Sequence, residues 1–223
     1  MAGKIAFVHT VAPLISEFNK LGDELLPGTQ LVHILDEAIL EHIHQNGGLG
    51  AGDTERLRSH IESAEQIHAD VVLVTCSVLS TCIDEIRPTV NIPIIKIDEA
   101  LVEMAVTAGE KIGMLATNPD TLKPSAQILY DQAARIGKTI TVIPRLVEHA
   151  FAAIRKGDGE THDRLVKDAL MDLATQVDVI VLAQASMARV LKLIPENVRK
   201  VPILSSPHLA LERAKQLTNQ SSS

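Results

Sequence analysis

Cys76 stands where an apolar run, Val71–Val74, gives way to helix-starting residues over Ser77–Ser80. A thiol at such a junction meets backbone N–H groups and the positive end of a helix dipole, which favour its thiolate. It can then act as acid, base or nucleophile; the competing reading is a small buried hydrophobe. Cys82, among Leu79 and Ile83, reads as core. Six residues of helix separate the two sulfurs by roughly 9 Å, too far for a disulfide, so both thiols are expected free. Three further polar tags follow apolar runs: His9-Thr10, Thr117-Asn118 and Gln184-Ala185-Ser186. His9 ends the first run and titrates near neutrality in the ordinary case, so it is the candidate second acid or base. The hydroxyls of Thr10, Ser77, Thr117 and Ser186 and the Asn118 amide are together candidate donors to a carboxylate, although each hydroxyl taken singly reads rather as a helix cap.

Other polar residues carry blander readings. His208 follows Ser205-Ser206-Pro207 at a helix start and reads as surface, while Asp36-Glu37 and Glu148-His149 read as solvated helix-start residues. His42 and His44, at i and i+2, point apart on a helix and have no partner at a recognised ligand spacing, so no metal site is expected. Gly47–Gly52, GGLGAG, does not match the dinucleotide fingerprint and reads as a flexible loop or lid. The tail Thr218–Ser223 reads as frayed.

The elements that position these tags alternate in type, as in an α/β protein with parallel sheets. Ile5–Val8, Leu31–Leu35, Val71–Val74, Ile92–Ile97, Ile112–Leu115, Thr139–Ile143, Val179–Leu182 and Val201–Leu204 read as strands buried on both faces. Pro13–Leu21, Asp53–His68, Asp98–Ala108, Asp120–Ile136, His162–Gln176 and Pro207–Gln216 carry helical spacing. The chain also repeats itself. Lys4-Ile-Ala-Phe-Val-His-Thr10 matches Lys111-Ile-Gly-Met-Leu-Ala-Thr117, Asp70 of Ala69–Ser77 matches Asp178 of Val177–Ala185, and Ile92-Pro93-Ile-Ile matches Val201-Pro202-Ile-Leu, at offsets of 107, 108 and 109. Two flavodoxin-like lobes related by a pseudo-twofold axis follow. The first lobe takes residues 1–98 and 207–223, the second 99–206. Ligands of open parallel sheets bind beyond the carboxyl ends of the strands, so facing lobes would gather all four tags in one cleft.

These segments resemble the aspartate/glutamate/hydantoin racemase superfamily of cofactor-independent enzymes, which also holds arylmalonate decarboxylase and maleate isomerase. The resemblance rests on the two similar lobes, the Ile-Gly-x-Leu-Ala-Thr block at 112–117, and Val-Thr-Cys76-Ser77-Val78-Leu79-Ser80, which looks like the family's first-lobe Cys-Asn-Thr motif. It implies a site of Cys76 with neighbours Ser77 and Val78 in one lobe, and a second cysteine in the other. That second place reads Leu182-Ala183-Gln184-Ala185-Ser186. Racemisation by two bases needs two groups that titrate, and a Gln amide does not. Three chemistries stay open: Cys76 working opposite His9, a single thiol protonating a carbanion after decarboxylation, or covalent attack by Cys76. All three place charge on carboxylate oxygens that neutral donors must hold, and no Arg occurs in the four tags. The leading expectation is a racemase or isomerase acting beside a carboxylate, with Cys76, His9 and Gln184 at the reacting centre and Thr10, Ser77, Val78, Thr117, Asn118, Ala185 and Ser186 around the substrate. A malonate-type decarboxylase is the alternative; a non-catalytic carboxylate-binding protein is the third reading.

Composition narrows the partners. In 223 residues the net charge is −7 and aromatics make up 2%, with no Trp, so neither a basic footprint nor a stacking platform for nucleic acid is present. The chain has no apolar run long enough to span a bilayer and no secretory h-region after its first residues, so no membrane association and a cytoplasmic location are expected. Hydrophobic residues at 46% and charged ones at 22% match a globular protein. The resemblance implies no cofactor, no metal, a small carboxylate-bearing substrate and a homodimer.

Overall fold

The computed structural model describes residues 3–194 and 199–221. In chain order its elements are β1 (Lys4–His9), α1 (Pro13–Leu25), β2 (Gln30–Leu35), α2 (Glu37–Gln45), α3 (Ala51–Gln66), β3 (Val71–Val74), α4 (Ser80–Ile86), β4 (Ile94–Lys96), α5 (Glu99–Ala108), β5 (Lys111–Ala116), α6 (Pro119–Arg135), β6 (Thr141–Leu146), α7 (Glu148–Arg155), α8 (Gly159–Leu173), β7 (Val179–Leu182), β8 (Ile203–Ser205) and α9 (Ser206–Ser221). Two four-stranded parallel sheets result, ordered β2-β1-β3-β4 and β6-β5-β7-β8. The chain divides into unit 1, Met1–Glu99 with Ala210–Ser223, and unit 2, Ala100–Leu209.

The repeat has a visible physical cause. Asp70 Oδ2 accepts from the Lys4 N–H at 2.6 Å, while the Asp70 N–H donates to the Lys4 carbonyl at 2.8 Å. Asp178 Oδ2 likewise accepts from the Lys111 N–H at 2.8 Å, and its N–H donates to the Lys111 carbonyl at 2.8 Å. Each shared aspartate thus ties the start of one central strand to the turn before the other, satisfying groups the ladder leaves unpaired. The hydrogen bonds its carboxylate accepts from the Lys111 and Glu110 N–H groups hold Asp178 below the usual carboxylate range. Pro93 and Pro202 match in the same way, their carbonyls accepting from Val72 and Ile180 at 2.9 Å.

In unit 1, α2, α3 and α4 cover one sheet face through Ile39, Leu57, Ile61 and Ile83, while α1 and α9 cover the other through Phe18, Leu211 and Ala214. In unit 2, α5 and α6 pack on one face and α7 and α8 on the other. The helix after β4 therefore joins the core of unit 2, and the helix after β8 returns to that of unit 1. Gly113 on β5 lets α8 approach closely, since a Cβ there would sit 2.8 Å from Leu173 and 3.1 Å from Val177.

Two expectations change. β2 and β6 are edge strands with partly exposed residues along their length, not strands buried on both faces. Pro144 fits there because an edge can lack a ladder donor. The Gly47–Gly52 segment is a turn closed by the Gly48 N–H to Ile43 carbonyl bond at 3.0 Å, and α3 already begins at Ala51.

Candidate functional site

In unit 1 the carboxyl edge of the sheet carries Thr10 after β1, Cys76 and Ser77 after β3, and Asp98 after β4. Cys76 is 9% exposed at the rim of the cluster under α2, α3 and α4, whereas Ser77 and Val78 are exposed. A 3-10 turn, Ser77–Leu79, intervenes before the seven-residue α4, so the dipole behind Cys76 is that of a short segment rather than the full helix expected. The turn's first bond runs from the Leu79 N–H to the Cys76 carbonyl at 3.1 Å, which leaves the N–H groups of Ser77 and Val78 ahead of it as donors at the edge. Thr10 is 4% exposed.

His9 ends β1 as expected, but its ring turns the other way. Phe7 and His9 share the face covered by α1, and the His9 ring lies 5.7 Å from both Phe7 and Phe18 and 5.1 Å from His33. It is 0% exposed, with Nδ1 2.9 Å from Thr75 Oγ1 and Nε2 2.9 Å from His33 Nδ1; His33 Nε2 continues to Asn19 Oδ1 at 3.0 Å. The Thr75 hydroxyl also donates to the Val8 carbonyl at 3.2 Å, so both His9 nitrogens are held in a buried hydrogen-bonded chain. Burial, then the neighbouring His33, lowers the His9 pKa to about 4. A neutral, enclosed imidazole with both nitrogens bonded is not a proton carrier for a substrate, so the expected role of His9 as second acid or base is withdrawn.

In unit 2, Gln184 Oε1 accepts from the Thr117 N–H at 2.6 Å, the Thr117 hydroxyl at 3.0 Å and the Asn118 N–H at 3.2 Å. Two backbone donors on one atom fix it as the carbonyl oxygen. The Thr117 hydroxyl and these two N–H groups are therefore engaged by Gln184 rather than held open for a substrate, and what Gln184 has left to offer is its Nε2 hydrogens. The residues after Gln184 form a 3-10 helix, Ala185–Leu193, opened by the Met187 N–H to Gln184 carbonyl bond at 3.2 Å. It repeats the turn behind Cys76. The side chains of Ala185 and Ser186 lie outside the described residues.

From sequence alone Asp98, ahead of the apolar stretch to Ala108, reads as the start of a helix. Applying the strand-end rule to β4 finds it. It is 9% exposed; burial raises its pKa, against the lowering effect of a hydrogen bond from the Ser77 side chain. Other polar residues hold scaffold positions. Asp36 is buried and accepts from Arg56 at 2.5 and 2.7 Å, His60 at 2.6 Å and the Ile39 N–H at 3.2 Å, pinning α2 to α3. His42 bonds Asp53 at 2.8 Å, His208 meets Ser205 at 3.2 Å, and Glu148 and His149 are exposed. Among the described residues no helix is long and apolar enough to cross a membrane, and no three-residue cluster could hold a metal.

Solved structures share this fold. An aspartate racemase homologue from Pyrococcus horikoshii OT3 superposes with a TM-score of 0.71 at 14% identity, covering 97% of this chain and 99% of its own. Allantoin racemase from Klebsiella pneumoniae gives 0.67 at 16% identity, covering 99% and 89%, and a glutamate racemase isoform from Bacillus anthracis gives 0.64 at 15%, covering 98% and 82%. No curated protein sequence matches the chain. The family model described as Asp/Glu/Hydantoin racemase matches residues 12–214. With that match over most of its length and two parallel sheets of matching order, the chain belongs to the Asp/Glu/hydantoin racemase family.

Proposed function

We propose that the protein is a cofactor-independent racemase or isomerase acting at the carbon next to a carboxylate of a small substrate, with Cys76 as the thiol acid/base. The observation that carries this reading is the position of Cys76: at the carboxyl end of a central strand, buried but next in the chain to the exposed Ser77 and Val78, whose N–H groups lie beside it. Removing a proton next to a carboxylate leaves an enolate-like species whose charge lies on the carboxylate oxygens. Neutral N–H and O–H donors fixed by the backbone stabilise that charge without reorganising.

The sequence place matched to Cys76 holds Gln184, whose amide does not titrate, and this also favours a second reading, a chemistry that Cys76 can finish as a single proton donor. In a decarboxylase of malonate-like acids, the carbon–carbon bond breaks, carbon dioxide leaves, and the electron pair left on carbon takes the Cys76 proton. Both readings are tested by incubating candidate amino, hydroxy and hydantoin-type acids and disubstituted malonates with the protein in deuterium oxide. Deuterium wash-in at the α-carbon without carbon dioxide release supports the isomerase; carbon dioxide release with one deuterium in a single-handed product supports the lyase. Cys76→Ser should abolish either activity, and exchange that survives in this variant removes Cys76 from the chemistry.

A further inference from the structure

We infer that β2 is an interaction edge on which a second copy of this chain docks, the two β2 strands running antiparallel about a twofold axis at His33. The inference is independent of the chemistry at Cys76. In the β1–β2 ladder the Gln30 N–H donates to the Gly3 carbonyl at 2.8 Å and the Asp36 N–H to the His9 carbonyl at 2.9 Å. Alternate residues of a strand bond to the same side. Gln30, Val32, Ile34 and Asp36 therefore face β1, and the N–H and C=O groups of Leu31, His33 and Leu35 face outward. Among the described residues, no backbone or side-chain group bonds these outward groups.

The other sheet edges are capped or short. Lys4 lies opposite Gln30 and Lys111 opposite Thr141, so Leu31, His33 and Leu35 correspond to Val142, Pro144 and Leu146 of β6. There the Val142 N–H donates to the Tyr130 hydroxyl of α6 at 3.3 Å, and Pro144 has no N–H to offer. β4 and β8 are three residues long, and the Ile94 carbonyl of β4 accepts from Arg87 at 2.8 Å. β2 runs for six residues without a proline or a charged side chain, the devices that keep an edge from pairing.

The free groups define what can cover them. They call for an extended strand, and β2 of a second copy is one whose outward groups recur at the same spacing. Set antiparallel, His33 faces the partner's His33, Leu31 the partner's Leu35 and Leu35 the partner's Leu31, and each pair exchanges both N–H···O=C bonds. The side chains agree with this register. Leu31 packs on the cluster under α1 and His33 stacks on Phe7 at 4.9 Å, so Leu35, two residues further along, lies on the same face. Leu35 is 40% exposed, and the pairing closes it against the partner's Leu31, a cross-strand apolar contact made twice by symmetry. The chain carries a net charge of −7, but Gln30–Leu35 contributes none of it, so the seam brings no like charges together.

Two measurements test this. Sedimentation of the wild-type chain from micromolar to millimolar concentration should show a dimer in equilibrium with the monomer, and Leu35→Lys should weaken the association about tenfold, since the contact is lost twice. Amide exchange followed residue by residue by NMR should show the Leu31, His33 and Leu35 N–H groups protected at high concentration and released on dilution, with Val32 and Ile34 protected throughout by the ladder. A chain that is monomeric at every concentration, an association unmoved by Leu35→Lys, or a dimer in which Leu31, His33 and Leu35 exchange as fast as in the monomer overturns the inference. The exchange of the wild type decides even if Leu35→Lys fails to fold.

Discussion

At the scale of single residues, His9 shows how burial converts a candidate catalyst into a structural group with a pH signature. Its pKa falls from 6.5 in the open chain to about 4 in the folded one, and that of His33 is lowered by burial as well. Between these values the unfolded chain binds more protons than the folded chain, so stability is full above about pH 6.5 and declines as the pH falls towards 4. At about 1.4 kcal/mol per unit, His9 alone accounts for on the order of 3 kcal/mol across that window. Urea midpoints measured at pH 7 and 4.5 should therefore differ strongly in the wild type and by less in His9→Gln, which has no proton to gain. An equal pH dependence in both proteins would place the acid sensitivity elsewhere. None of this was legible from residues 4–10 alone, because the fate of His9 depends on His33 arriving opposite Phe7 when β2 pairs with β1. Asp98 was hidden for a different reason: an acidic residue before an apolar helix reads as a cap, and only the end of β4 at Lys96 places it at the carboxyl edge of the sheet.

At the scale of elements, sequence pattern performed well for central strands and poorly for short helices. Val71–Val74 and Val179–Leu182 are four-residue runs of apolar, mostly β-branched side chains, and they are the strands buried along their whole length. The pattern over Gln30–Leu35 is nearly as apolar, which is why an edge strand passed for an interior one. α2 and α7 run nine and eight residues after edge strands, too short for periodicity to separate them from loops. Gly113 offers an element-scale test. The Cβ of an alanine there would press on Leu173 and Val177, which are 0% and 7% exposed and have little room to retreat. Gly113→Ala should cost about 1–3 kcal/mol by overpacking β5 against α8. Leu173→Ala opens space at the same spot, so the double variant should be less destabilised than the two single losses combined, as chemical denaturation would reveal. Strict additivity would mean that the glycine is retained for its backbone and not for the close approach.

At the scale of the whole molecule, the repeat made the two-unit organisation readable, since the matched Asp70 and Asp178 make the same hydrogen bonds in each half. What the repeat implies for folding is less symmetric. Unit 2 is one continuous stretch, whereas unit 1 is closed by the last segment of the chain, whose Ala210, Leu211 and Ala214 are each 0% exposed against β1 and β3. Joining the two ends of a long chain carries a larger loop-closure cost than local packing, so α9 is a vulnerable seam of unit 1. Leu211→Asp places an unpaired carboxylate in that core, where an isolated charge is strongly disfavoured. Hydrogen exchange read by mass spectrometry should then show lost protection in peptides covering β1 and β3, with those covering β5 and β7 changing far less. If protection falls equally in all four strands, the two units unfold as a single cooperative block, and the division seen in the packing has no counterpart in stability.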